Sequence, residues 1–166
     1  VVLALVARAI VAVLAAPSDD LLGWRWVDRV LAAGGNPYVE TPRLNWPPLW
    51  MLWIGLAGTA ARATGLAFDA IVRVLPFLTD AATTALLARL SLPLALAFAL
   101  HPVALATTGA QAQLDAIPAL AALVAVLAVT TRIPAAWAVA GLSLGIGAGF
   151  KTWPLFLVPP LAIRMR

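Results

Sequence analysis

Residues 17–20 read Pro-Ser-Asp-Asp and follow sixteen residues with a single charge, Arg8. Asp19 and Asp20 sit at the edge of an apolar segment. A carboxylate there can act as a general base toward a hydroxyl, and an adjacent pair can also hold a cation. The same residues suit a plainer task, because Ser and Asp accept hydrogen bonds from the free N–H groups that open a helix. A second polar stretch, TTGAQAQLDAIP, sets Gln111, Gln113 and Asp115 between apolar segments. Amides and a carboxylate are costly at membrane depth unless they line a cavity or reach water. Asp115 could also cap a helix starting near Ala116, with Pro118 in its first turn. A third, GFKTWP, carries Lys151, the one lysine of the chain. Its compact ammonium suits a lipid phosphate, although a lysine at a helix end also snorkels. Tyr38, Trp46 and Trp50 in GGNPYVETPRLNWPPLW offer flat surfaces for a sugar ring or for interfacial anchoring. His101, ahead of Pro102, suits a hydrogen bond to a neighbouring helix.

The elements that must position these groups are apolar helices. Hydrophobic residues make up 63% of the 166-residue chain and charged residues only 11%, against about 25% in soluble domains. The mean hydropathy is +0.99. This composition predicts an all-α, multi-pass transmembrane helical bundle. There is no cysteine, which excludes disulfides and thiol chemistry, and the one histidine gives no zinc spacing. Basic residues are dispersed at segment ends, a pattern of membrane topology and lipid contact rather than nucleic-acid binding. The chain opens without Met on an apolar run and reads as a piece of a longer protein, and Val1–Ala16 lacks the basic leader of a signal peptide.

Expected membrane helices cover 1–16, 71–90, 92–107, 116–130, 135–150 and 154–163, with Pro102 kinking one of them. Residues 17–70 form a large external loop bearing amphipathic surface helices. That loop holds five of the seven acids and five of the seven tryptophans. GWRWVDRVLAAGG predicts a surface helix over 24–33 ending at Gly34–Gly35. Pro42, Pro47 and Pro48 keep the following chain extended. The segment 48–61 is short for a span and reads as interfacial. Alternation then gathers Gln111, Gln113, Asp115 and Lys151 on the loop side, and places Arg89, Arg132, Arg164 and Arg166 on the cytoplasmic side. Asp80, seven residues after Arg73, reads as a packing or topology feature. Gly141, Gly145 and Gly149 at four-residue spacing, with Gly147, predict a close helix-packing face.

In order, the acidic pair, the surface helix, GGNPY, NWPPLW, the HP kink, TTGAQAQLDAIPAL and GLSLGIGAGFKTWPLFLVPP resemble the N-terminal module of the GT-C superfamily. These are integral-membrane glycosyltransferases that use polyprenyl-phosphate sugars. The likeness covers the whole chain and is nearest to glycosyltransferase family 87 and the GPI and dolichol mannosyltransferases. It implies transfer of a hexose, expected to be mannose, from a polyprenyl-phosphate-linked donor to a lipid-linked or glycan acceptor. The reaction would take place at the external face of a bacterial plasma membrane. The catalytic acid of the first loop falls on Asp20 or Asp19, with Asp20 favoured because it lies further from the helix end. Lys151 would stand beside the leaving phosphate. Gln113 and Asp115 would orient sugar or acceptor, with Tyr38, Trp46 and His101 also contacting substrate. Some relatives carry Asp-x-Asp where this chain has an adjacent pair, so a divalent cation, Mg or Mn, would sit on Asp19 and Asp20 if one is used. Two other classes stay open: a multi-pass transporter or lipid flippase-like protein, and a non-catalytic assembly subunit.

Overall fold

The computed structural model describes residues 2–40, 46–131 and 133–164, and its regular elements are all helical. Pro42, Asn45, Arg132 and Arg166, used above for chain path, motif and topology, lie outside the described residues.

Helix α1 spans Val2–Leu14 and α2 spans Asp19–Ala32. The two meet at 83°. Ser18 starts α2: its backbone is extended and its hydroxyl accepts from the Leu21 N–H at 3.2 Å. The helix expected over 24–33 therefore begins five residues earlier, and Asp19 and Asp20 lie in its first turn rather than in a loop. Acidic side chains are favourable there, beside unpaired N–H groups and the positive end of the helix dipole. The far end is as expected. Gly34 takes φ +77°, and the Gly35 N–H donates back to the Val30 carbonyl at 2.9 Å.

After the short α3 (Pro37–Glu40), α4 runs Pro48–Thr64. Pro48 opens it, where a missing N–H costs nothing, and left-handed Gly65 closes it. Trp50, Met51, Ile54 and Ala57 of α4 are buried. They share one core with Leu21, Trp24 and Val27 of α2. Trp24 and Trp50 meet edge to face at 5.4 Å, worth about 0.5–1.5 kcal/mol beyond the area they bury.

Helix α5 (Phe68–Val72) continues through Arg73 into α6 (Val74–Leu90). Phe68–Leu90, 23 residues, is long and apolar enough to cross a bilayer unaided. Two bent pairs qualify only if each is one broken span: α1 with α2, and α7 (Leu92–Ala99) with Pro102–Ala110, bent by 48°. That second break falls at His101–Pro102, as the proline predicts. Beyond it, α8 (Pro102–Ala104) widens into a π-helical turn over Leu105–Ala110. There the Gln111 N–H reaches the carbonyl of Ala106, five residues back. Helices α9 (Ala116–Thr130) and α10 (Ala136–Phe150) have 15 residues each, about 22 Å against a hydrocarbon core of about 30 Å. A 3₁₀ turn (Trp153–Leu157) and α11 (Val158–Arg164) follow.

The expected glycine face is present in part. A Cβ on Gly141 or Gly145 would meet nothing within 4 Å. The close approaches are at Gly147, where a Cβ would lie 2.8 Å from the Ala121 Cβ, and at Gly149, against the Leu49 side chain. The α9–α10 contact thus runs past Gly147, and Ser143 reinforces it by donating to the Ala121 carbonyl at 2.9 Å.

Asp80 does more than pack. It is an ion partner of Arg8, and the two side chains are 2% and 0% exposed. Asp80 also accepts from the Thr108 hydroxyl at 2.7 Å. Arg8 Nη1 donates to the carbonyls of Ala4 and Ala99. The lone charge of the first apolar segment therefore ties α1, α6, α7 and the π-turn together.

Candidate active site

The π-turn ends in Gln111–Ala112–Gln113–Leu114–Asp115, the connection into α9. Ala112 is fully buried with φ +53°. A left-handed non-glycine residue costs about 1–3 kcal/mol and persists only where its surroundings hold it. Here the Gln113 N–H donates to the Thr107 carbonyl at 2.8 Å. Ala112 and Leu114 are both buried in the core that holds Trp24 and Trp50. Alternation around these two anchors turns Gln113 and Asp115 the other way, and both are partly exposed.

Gln113 Nε2 donates to Asp20 Oδ2 at 2.6 Å across 93 residues of sequence. The bond joins the first turn of α2 to the connection ahead of α9. It separates the acidic pair, since Asp20 is half-buried against Gln113 while Asp19 is exposed. A carboxylate accepts at two oxygens, so Gln113 orients the Asp20 group and leaves Oδ1 for another partner.

Asp115 is not a side-chain cap for α9; its carboxylate makes no cap bond. It takes Lys151 instead, Nζ to Oδ1 at 2.6 Å. Lys151 sits in the break after α10, where its own N–H still closes that helix by donating to the Gly147 carbonyl. Its ammonium also lies 5.5 Å from the Trp46 ring centroid, within cation–π range. The side chains of the pair are 34% and 36% exposed. Lys151 is thus neither a free snorkelling lysine nor sealed, and an ammonium with three donors keeps capacity beyond Asp115.

Trp46 packs on Trp24 at 5.6 Å, which ties the lysine's aromatic partner back to the helix of Asp20. Tyr38 donates its hydroxyl to the Trp46 carbonyl at 2.7 Å. Partial burial pushes the Tyr38 phenol above its usual pKa, so it stays a donor. Asp20–Gln113 and Asp115–Lys151–Trp46–Tyr38 therefore form two runs of contacts, joined through the main chain between Gln113 and Asp115.

His101 stands apart from both runs. Its Nδ1 accepts from the Val103 N–H at 3.2 Å, capping α8 of its own strand of chain rather than bonding a neighbouring helix. It lines a cleft of about 610 Å³ whose walls also include Asp80, Phe98, Thr108 and Asp115. His101 and Asp115 thus share a cavity but no bond among the described residues.

The chain matches no known family pattern, no curated protein and no solved structure. The reading of the site rests on its own residues.

Asp19 and Asp20 are adjacent carboxylates, Asp19 exposed and Asp20 half-buried, and no cluster of three His, Cys, Asp or Glu groups occurs among the described residues. Mg²⁺ bound through one or two carboxylates draws its remaining ligands from water and substrate phosphate.

Arg73, Arg25 and Asp69 escaped the sequence reading as site residues. Arg73 is buried and donates to the carbonyls of Gly109 and Ala110 at 2.9 and 3.0 Å, the last two residues of the π-turn. Arg25 pairs with Asp69. One signal was available: three charges, Arg25, Asp69 and Arg73, bordering apolar runs that spare nearly every other charge.

Proposed function

We propose that this chain is part of a multi-pass membrane glycosyltransferase of GT-C type, using a polyprenyl-phosphate-linked hexose, with mannose the expected sugar. The observation that carries the reading is the contact between Asp20 and Gln113 next to the Asp115–Lys151 pair. It brings a carboxylate and an ammonium from opposite ends of the chain to one strained connection. Asp20 takes the proton of the acceptor hydroxyl as that oxygen attacks the sugar C1. The bond from C1 to the phosphate oxygen breaks, and the polyprenyl phosphate leaves with the electron pair. Lys151 meets the charge that develops on it. Trp46 and Tyr38 border the sugar, and Gln113 keeps Asp20 in place.

The near-perpendicular turn between α1 and α2 supports the topology. In this reading α2, turned 83° from α1 and packed against α4, lies along the bilayer surface. The site then faces the external side of a plasma membrane, bacterial by the resemblance, and the acceptor is lipid-linked or glycan. The test is sugar transfer from a polyprenyl-phosphate donor by the full chain in its membrane, with Asp20→Asn as the variant. Retention of full transfer would remove the catalytic assignment.

A second reading has an observation of its own. The sealed Arg8–Asp80 pair beside the broken α7–α8 segment is what a transporter or flippase would use, because ionisable groups inside spans mark transport paths. Flux of a lipid-linked sugar across proteoliposomes, lost on Asp80→Asn and untouched by Asp20→Asn, would favour that reading over transfer.

A further inference from the structure

The two halves of the site arrive from distant parts of the chain, and a single hydrogen bond between Gln113 and Asp20 does not fix a rigid connection. A second route links them. On α2, five residues beyond Asp20, Arg25 binds the Asp69 carboxylate through two nitrogens, with Nε to Oδ1 at 2.7 Å. The Asp69 main-chain carbonyl accepts from Arg73 Nη1 at 2.8 Å. Arg73 then spreads its other nitrogens over two successive carbonyls, Nε to Gly109 and Nη2 to Ala110. The next residues are Gln111, left-handed Ala112 and Gln113. The route closes a ring: α2, Asp69, Arg73, the end of the π-turn, Gln113 and back to Asp20.

The carbonyls concerned are those a π-turn leaves over. The Ala106 carbonyl is taken by the Gln111 N–H and that of Thr107 by the Gln113 N–H. The carbonyls of Gly109 and Ala110 take no such main-chain N–H among the described residues, and Arg73 supplies their donors. The guanidinium fork matches two neighbouring oxygens as no ammonium can. Gly109 is pressed on its other side by α1, where a Cβ would lie 3.1 Å from the Arg8 carbonyl oxygen. The turn is therefore held between α1 and Arg73.

We infer that Arg73 is a positioning residue: by holding the Gly109 and Ala110 carbonyls it sets the 111–115 connection so that Gln113 meets Asp20. This rests on the site reading above only for its consequence in catalysis; the geometry it claims can be read without any substrate.

The chain has no native cysteine, so introduced pairs report cleanly. The probe is a short bis-thiol cross-linker applied to the full chain in its membrane, carrying Asp20→Cys with Gln113→Cys. The reference pair is Asp28→Cys with Arg62→Cys, whose native side chains meet at 2.9 Å between α2 and α4, away from the turn. With Arg73→Gln, the 20–113 cross-linking rate falls about tenfold while the 28–62 rate is unchanged; a displacement near 1 Å is enough to alter a geometry-dependent rate by up to about 10²-fold. Arg73→Lys recovers part of the rate, since one ammonium can hold one of the two carbonyls. Arg25→Gln, which cuts the ring at its exposed end and leaves the buried cation in place, gives a smaller fall. An unchanged 20–113 rate in Arg73→Lys and Arg25→Gln overturns the inference even if Arg73→Gln does not fold. So does an equal fall at both pairs, which would give Arg73 a role in the whole fold. A fall confined to the 20–113 pair, together with no sugar transfer in the parent chain, would sink the enzyme reading and leave this one standing.

Discussion

Two ion pairs hold the segment from the π-turn to α9, one at each end, and they differ in what they leave free. Arg8–Asp80 is sealed, 0% and 2% exposed, and shares its carboxylate with Thr108. Lys151–Asp115 is about one-third exposed on both sides and borders Trp46. Removing two charges from water is expensive, and the sealed pair recovers that only through close contact and extra hydrogen bonds. The open pair avoids most of that cost and also keeps its ammonium reachable. The sealed pair is read as a strut, the open one as part of a site. Charge among apolar helices does not by itself separate the two roles; access does.

The largest effect that could break this contrast is on the strut. Asp80→Ala leaves Arg8 buried and unpaired, and loss of one partner of a buried pair costs about 3–5 kcal/mol. Thermal unfolding of the purified chain in detergent should show a large drop in midpoint, and an unchanged midpoint would mean the pair is not a strut. Asp20→Asn should behave in the opposite way. Transfer should fall by about 10²–10⁴-fold, the usual contribution of a general base, with the melting midpoint little changed. Lys151→Met should lower transfer by about 10²-fold, in the range of one removed donor to a developing anion. Its effect on stability should stay within about 1 kcal/mol, as for an exposed pair. A stability loss as large as that of Asp80→Ala would erase the distinction between the two pairs. The smallest effects sharpen the packing side. Gly147→Ala, facing the Ala121 Cβ, should destabilise by about 1–3 kcal/mol through overpacking. Gly145→Ala, facing open space, should be neutral or stabilise by up to about 1 kcal/mol from helix propensity.

Parts of this arrangement are legible in the sequence. Gly34 ends α2 because only glycine takes φ +77° without strain. Pro102 breaks the helix where its missing N–H must. Alternation of apolar segments, with the placement of basic residues, put Gln113, Asp115 and Lys151 on the side of the loop that holds Asp20, and the contacts Asp20–Gln113 and Asp115–Lys151 are present. What periodicity cannot reveal is who pairs with whom. Arg8 and Asp80 are 72 residues apart, and nothing local in either segment names the other. Ser18 capping moved the start of α2 and so changed Asp19 and Asp20 from loop residues into helix residues. The glycine face held only in part for a related reason. Spacing marks the small residues of a helix but not the neighbour each one meets: Ala121 of α9 lies against Gly147 and Leu49 of α4 against Gly149, while Gly141 and Gly145 face open space. Asp115 looked like a cap because it precedes a helix, yet Lys151, 36 residues on, is the stronger partner for a carboxylate.

The central proposal is that, of the adjacent acidic pair, Asp20, held by Gln113, does the work and exposed Asp19 does not. The direct measurement is kcat/KM for sugar transfer by Asp20→Asn and Asp19→Asn, prepared in the same membrane and assayed with the same polyprenyl-phosphate donor. The account predicts that Asp20→Asn loses at least about 10²-fold while Asp19→Asn, whose side chain is exposed and outside the contact with Gln113, stays near the parent. Equal losses in the two variants, or loss confined to Asp19→Asn, would contradict it.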